Sequence, residues 1–179
     1  MKIYIRAKYP FLVYMLGFFL GILYLNLAAS EYILTNGIWG EWFRSCYLDY
    51  DLRSFDYLWY IVKVRVLPAG VLAVLGGTKL RKISAYLFIG WIGMSCGLIM
   101  TLAVMTLGIK GIVLCIVCML PHYLCYVPAY VMLLIYLLHF PESVWNITKW
   151  SSFLLFMTMG MALECIVNPV LLKAFLRIM

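Results

Sequence analysis

A chain of 179 residues has the length of a single domain, but 66% of it is hydrophobic and only 12% charged, a balance no soluble core absorbs. Its net charge of +7 comes from lysines and arginines scattered at the ends of apolar runs, not from a basic stripe interleaved with aromatics. That pattern argues against a nucleic-acid partner and for lipid headgroups and membrane topology.

The expected fold class is an all-α membrane protein. An apolar run of about 18 residues or more spans a hydrocarbon core about 30 Å thick, and such runs recur along the chain. They predict one transmembrane domain over residues 1–179, a bundle of about five transmembrane helices near 10–30, 57–78, 83–107, 111–140 and 149–172, with an outer loop at 31–56.

No charge lies between Lys8 and Glu31, so Pro10 to Ser30 reads as the first span. Lys2, Arg6 and Lys8, with Ala28-Ala29-Ser30, also resemble a signal peptide and its cleavage site, but the apolar stretch exceeds the usual 7–15 residues of a signal core. The first span is therefore expected to be retained. From Glu31 to Asp56 the chain turns acidic and aromatic, with Trp39, Trp42, Phe43, Tyr47 and Tyr50 among the charges. Such rings suit the headgroup zone, which predicts an interfacial helix or hairpin.

The second span needs residues before Arg65, because only 13 charge-free residues, 66–78, separate it from Lys79. Starting near Tyr57 gives sufficient length. Lys63 and Arg65 are then expected to snorkel back to the interface, with a buried counter-ion as the functional alternative, and Pro68 to bend the helix.

Lys79, Arg81 and Lys82 form a basic turn, and residues 83–109 carry no charge. Gly108-Ile109-Lys110-Gly111 supplies the next turn, its glycines giving the backbone freedom a tight connection needs. The fourth span is long and carries Pro121 and Pro128 among His122, Tyr123, Tyr126 and Tyr130. Each proline frees a carbonyl one turn earlier. The expected result is a proline-kinked fourth helix; the alternative is a broken helix whose freed carbonyls build an ion site, as in many transporters. Pro141-Glu142-Ser143 leads to the fifth span.

The basic residues before the first span and after the second emerge on one side, which the positive-inside rule makes the cytoplasm. The N-terminus is then inside, the 31–56 loop outside and the C-terminus outside. Lys173 and Arg177 disagree with the last step.

Glu164 is the one acidic residue deep in an apolar run, and a lone intramembrane carboxylate is a functional-site hypothesis by default. Gly160, Glu164 and Asn168 share a face, at i, i+4 and i+8, which predicts that this face turns toward another helix. Lys63, Arg65, Lys110 and His122 are the candidate partners. The choice lies between a protonated or paired structural carboxylate and an ion or proton relay.

Gly17-x-x-x-Gly21 and Gly93-x-x-x-Gly97 suit close helix pairing, within the chain or with a partner. Cys115-x-x-Cys118 lacks the second pair or thioredoxin-like context of a redox or metal motif and reads as packing. No Ser/His/Asp set, P-loop, H-E-x-x-H or G-x-G-x-x-G unit occurs, so no enzyme activity, cofactor or metal is expected.

Three stretches together resemble a known family. They are Gly108-Ile109-Lys110-Gly111 leading to Leu120-Pro121, Val127-Pro128 and Tyr130; Leu163-Glu164 with Asn168-Pro169 and Leu171-Leu172-Lys173-Ala174; and Phe19-Leu20-Gly21-Ile22 in the first span. In order and spacing the chain is similar to the stage II sporulation protein M family of bacterial membrane proteins. The resemblance implies a five-span protein of the bacterial cell (inner) membrane. It also implies a scaffold in sporulation, helping the mother-cell membrane migrate around the forespore during engulfment by anchoring two peptidoglycan hydrolases, stage II sporulation proteins D and P. Besides these hydrolases and the lipid bilayer, a second copy of the chain is an expected partner. The rival expectation is a small transporter or channel component using Glu164 and the Pro121/Pro128 helix.

Overall fold

The structure, a computed structural model, describes residues 2–29, 55–140 and 142–178. The expected outer loop falls outside the described residues except for its last two positions. Five long helices account for nearly all the rest: α1 (Lys2–Tyr24, running into a π-helical turn at Leu25–Ala29), α2 (Phe55–Gly76), α3 (Arg81–Leu107), α4 (Ile109–His139) and α5 (Ile147–Ile178). No strand occurs among the described residues. Each helix contains a segment long and apolar enough to cross a membrane, at Lys8–Leu27, Tyr57–Gly76, Arg81–Leu107, Ile109–His139 and Ile147–Ala174. The chain is thus an all-α, multi-pass transmembrane protein.

Most helices overrun the expected spans. α1 begins at Lys2, upstream of Pro10, and α5 continues through Pro169 to Ile178. The expected boundaries were set by charges, and a charge marks where hydrocarbon ends; the helix continues into water as long as its own hydrogen bonds do. The helical run of α4 is likewise continuous through Pro121 and Pro128. Polar side chains inside the spans find local acceptors: Asn26 donates to the Ile22 carbonyl at 2.8 Å and Thr106 to that of Leu102 at 2.9 Å, removing a donor that lipid would leave unsatisfied.

Connections are short. Residues 77–80 turn α2 into α3, braced by Thr78, whose hydroxyl donates to Leu75 O at 2.7 Å and accepts from Leu80 N at 3.2 Å. A single residue separates α3 from α4: Gly108, with φ of 60°. Its N–H donates back to Val104 O at 2.9 Å and its carbonyl accepts from Gly111 N at 3.0 Å, a left-handed helix cap only glycine adopts without strain. A Cβ on Gly111 would fall on the Ala103 carbonyl oxygen, so both glycines of the G-x-K-G stretch are required by the turn.

The described helices sort into two compact units. In the first, comprising residues 1–47 and 86–115, α1 and α3 meet through glycines on both sides. A Cβ on Gly17 or Gly21 would strike the carbonyl oxygen of Gly90 or Met94, and one on Gly93 or Gly97 that of Tyr14 or Phe18. The two G-x-x-x-G pairs therefore pack against each other within this chain. Such backbone contact lets dispersion and weak Cα–H···O contacts replace the hydrophobic drive that lipid removes. The opposite side of α1 presents Phe11, Leu16, Phe19 and Leu23 outward, as lipid-facing residues should be.

The second unit comprises residues 48–85 and 116–179. Here α2, α4 and α5 bury Ala69, Tyr126, Ala129 and Met157, with Tyr130, Phe153, Phe156 and Met161 packed around them.

Leucine at Gly17 or Gly93 is expected to force α1 and α3 apart and lower stability by about 1–3 kcal/mol, read as a drop in the thermal midpoint of purified protein in detergent. Gly70→Ala, at a helical glycine with nothing within 4 Å, should leave the midpoint unchanged or raise it. Equal behaviour of the three variants would contradict the glycine packing.

Candidate functional site

The site forms where α2, α4 and α5 meet inside the second unit. On α4, His122, Tyr126 and Tyr130 recur every fourth residue and so share one face. On α5, Gly160, Glu164 and Asn168 do the same. Gly160 makes the notch: a Cβ there would stand 2.6 Å from Cε1 of Tyr126, so the phenol ring lies directly on the glycine. One turn further along α5, the Tyr126 hydroxyl donates to Glu164 Oε2 at 2.8 Å.

From α2, Arg65 meets the same carboxylate side-on. Its Nε donates to Oε2 at 2.9 Å and its Nη2 to Oε1 at 2.5 Å. The planar fork matches the carboxylate geometry, which a lysine could not do. The guanidinium carbon also lies 4.9 Å from the Tyr126 ring centroid and 5.9 Å from that of Tyr123, within cation–π range. The Tyr130 hydroxyl donates to the Arg65 backbone carbonyl at 2.7 Å. Arg65 is thus held by both its head and its main chain.

At about 1.5 Å per residue, Arg65 lies about 12 Å from the Tyr57 end of its span and about 16 Å from the Gly76 end, near mid-depth. Its side chain is 24% exposed and that of Glu164 is 11%. An isolated charge at that depth is costly; here the two cancel, and Glu164 has both oxygens engaged.

This corrects the expectation for Arg65. Its guanidinium pairs with Glu164, the buried counter-ion arrangement that was the alternative to snorkelling. Lys63, closer to the interface, remains exposed with its ammonium 5.6 Å from the Trp59 ring. Of the four candidate partners of Glu164, the carboxylate takes Arg65.

The other expected site residues divide. Tyr130 joins the network through the Arg65 carbonyl. Asn168 follows Glu164 by one turn, and its Oδ1 is buried with no hydrogen-bond partner among the described residues. Pro169 is buried within α5. Pro121 and Pro128 are half-buried on α4 and flank the turn that carries Tyr126. Gly108, Lys110 and Gly111 belong to the α3–α4 turn, where the glycines are structural and Lys110 is exposed. His122 is 4% exposed, with its ring 5.9 Å from Tyr126 and Nδ1 unpartnered among the described residues. Cys115 is buried and Cys118 half-buried on α4. Among the described residues no three His, Cys, Asp or Glu side chains converge to hold a metal.

Tyr126 was the residue sequence reasoning did not single out. The signal was present in its spacing, four residues from both His122 and Tyr130, which repeats the period of the polar face on α5.

Glu164→Met leaves the Arg65 charge unpaired and should cost about 3–5 kcal/mol, as should Arg65→Met, whereas the double variant Arg65→Met/Glu164→Met should recover most of the loss. Tyr126→Phe should cost about 1.5–3 kcal/mol. Unfolding in a graded detergent series measures all four; a double variant whose loss equals the sum of the singles would show that the two residues do not act as a pair. Compared with known protein families, curated proteins and solved structures, the chain matches none.

Proposed function

We propose that this protein is a membrane scaffold of the stage II sporulation protein M kind, acting in engulfment or septal cell-wall remodelling by positioning peptidoglycan hydrolases that resemble stage II sporulation proteins D and P. In this reading it sits in the bacterial cell membrane with its N-terminus in the cytoplasm, and carries out no hydrolysis itself. The observation that supports it is the state of Glu164. The one carboxylate inside the spans is engaged by an arginine and a tyrosine from two other helices, a polar lock on helix geometry of the sort a docking platform needs. Of the three stretches that carry the family resemblance, one includes Glu164 of this lock, one includes Tyr130 and the glycine turn at 108–111, and the third lies in α1. The partner-binding surfaces would be the 31–57 segment and the outward helix faces.

The rival is a small transporter or channel component. It draws on the buried His122 Nδ1 and Asn168 Oδ1, both without partners among the described residues, on the faces that also carry Tyr126 and Glu164.

Deletion in the native host is expected to stall membrane migration and mislocalise the hydrolases, seen with a membrane dye and tagged enzymes. Unchanged engulfment and localisation would remove the scaffold. Proton- or ion-coupled flux in proteoliposomes, abolished by Glu164→Gln, would favour the rival.

A further inference from the structure

Away from the ion pair, the second unit carries a different constellation at the end where α2 gives way to α3 and α4 to α5. Aromatic rings run across it in contact. Phe140 lies 5.9 Å from Tyr136, Tyr136 5.2 Å from Trp145, and Trp145 5.6 Å from Trp150 in the first turn of α5. The Arg81 guanidinium stacks on Phe140 at 4.0 Å, which joins the start of α3 to the same layer. Aromatic layers of this kind sit at the headgroup level of a bilayer.

The charges of this layer are one-sided. Lys79, Arg81, Lys82 and Lys149 stand in the two connections and the helix starts they lead to, against one carboxylate, Glu142. Lys79 and Lys82 are exposed. Lys149 braces the second connection, donating to Ser143 Oγ at 3.1 Å and Val144 O at 2.6 Å.

The helix ends sharpen the imbalance. Both α3 and α5 start here, and neither has an acidic residue in its first turn. A helix N-terminus carries positive partial charge and unsatisfied N–H groups, so it favours anions. Here it meets cations instead: Arg81 and Lys82 open α3, and Lys149 lies in the first turn of α5. Two positive helix ends and four basic side chains leave this end of the unit short of negative charge. The buried indole N–H of Trp145 also finds no acceptor among the described residues.

We infer that this end of the protein binds the phosphate headgroup of an anionic phospholipid, held by Lys79, Arg81 and Lys82 over the Tyr136–Phe140–Trp145–Trp150 layer. The lipid supplies the anion that the helix starts lack, its acyl chains lie along the apolar helix faces, and the rings fix the depth at which it is held. The inference does not depend on the scaffold reading or on which leaflet this end faces.

The test uses the full chain purified in detergent and incubated with an equimolar mixture of phosphatidylglycerol and phosphatidylcholine, with retained lipid counted by native mass spectrometry. Phosphatidylglycerol should be preferred by at least about fivefold, the contribution of roughly one basic side chain near an anionic surface. The preference should fall close to one in Lys79→Gln/Arg81→Gln/Lys82→Gln. It should persist in Lys110→Gln, which removes an exposed cation beyond the far end of α3, and in the presence of millimolar inorganic phosphate. No preference in the native chain, an unchanged preference in the triple variant, or an equal loss in Lys110→Gln would overturn the site. Displacement by inorganic phosphate would make it a free-anion site and overturn its assignment to lipid.

Discussion

An arginine and a glutamate paired within two segments apolar enough to cross a membrane constrain every helix that carries or touches them. The cost of leaving either charge alone inside such a segment exceeds what a few side-chain contacts supply. The Arg65–Glu164 pair therefore fixes the rotation of α2 and α5 about their axes and their relative height, since its two parallel hydrogen bonds tolerate little displacement. The Tyr126 hydroxyl extends the same constraint to α4. Gly160 completes it, because any side chain there would displace the ring that carries this hydroxyl. Loss of one member is felt by the rest, which is how a satisfied buried network specifies a single arrangement.

The first unit is held by the opposite means. Between α1 and α3 there is no charge to pair, and close packing comes from removing side chains: four glycines let each helix seat on the carbonyls of the other. Within lipid, where apolar surfaces gain nothing by leaving solvent, these are the two ways available to hold helices together, close van der Waals approach and polar bonding. The chain uses one in each unit.

How much of this the sequence discloses depends on the kind of interaction. Spans are legible because lipid imposes a long, charge-free run on any helix that crosses it, and all five appear as helices. The glycine pairs were legible in spacing, though whether they pair within the chain or with a partner was not. Glu164 stood out as a lone acid, and Gly160 and Asn168 marked the face it sits on. The choice of Arg65 as its partner was not legible. A basic residue eight positions into a short span satisfies both the snorkelling and the paired reading, and only the packing of α2 on α5 decides between them. The tyrosines were hidden for a related reason: in a membrane chain they are read first as interfacial, and here Tyr126 is used for its hydroxyl at mid-depth. The 31–56 segment, which the sequence marks as the most polar stretch, lies almost wholly outside the described residues.

The same pair bears on what kind of work the protein can do. For Glu164 to carry a proton or ion through a cycle, Arg65 must first be drawn away, and a guanidinium cannot be neutralised to ease that step. It would need a second anion, yet Glu164 is the only carboxylate within the five spans. The remaining route is bodily movement of α2 away from α5, carrying the arginine toward the interface and breaking the hold of Tyr130 on its backbone carbonyl. Each requirement raises the barrier to cycling. A platform for partner enzymes makes none of these demands, because it needs the ion pair only to stay closed and keep the outward faces of the helices in fixed relation.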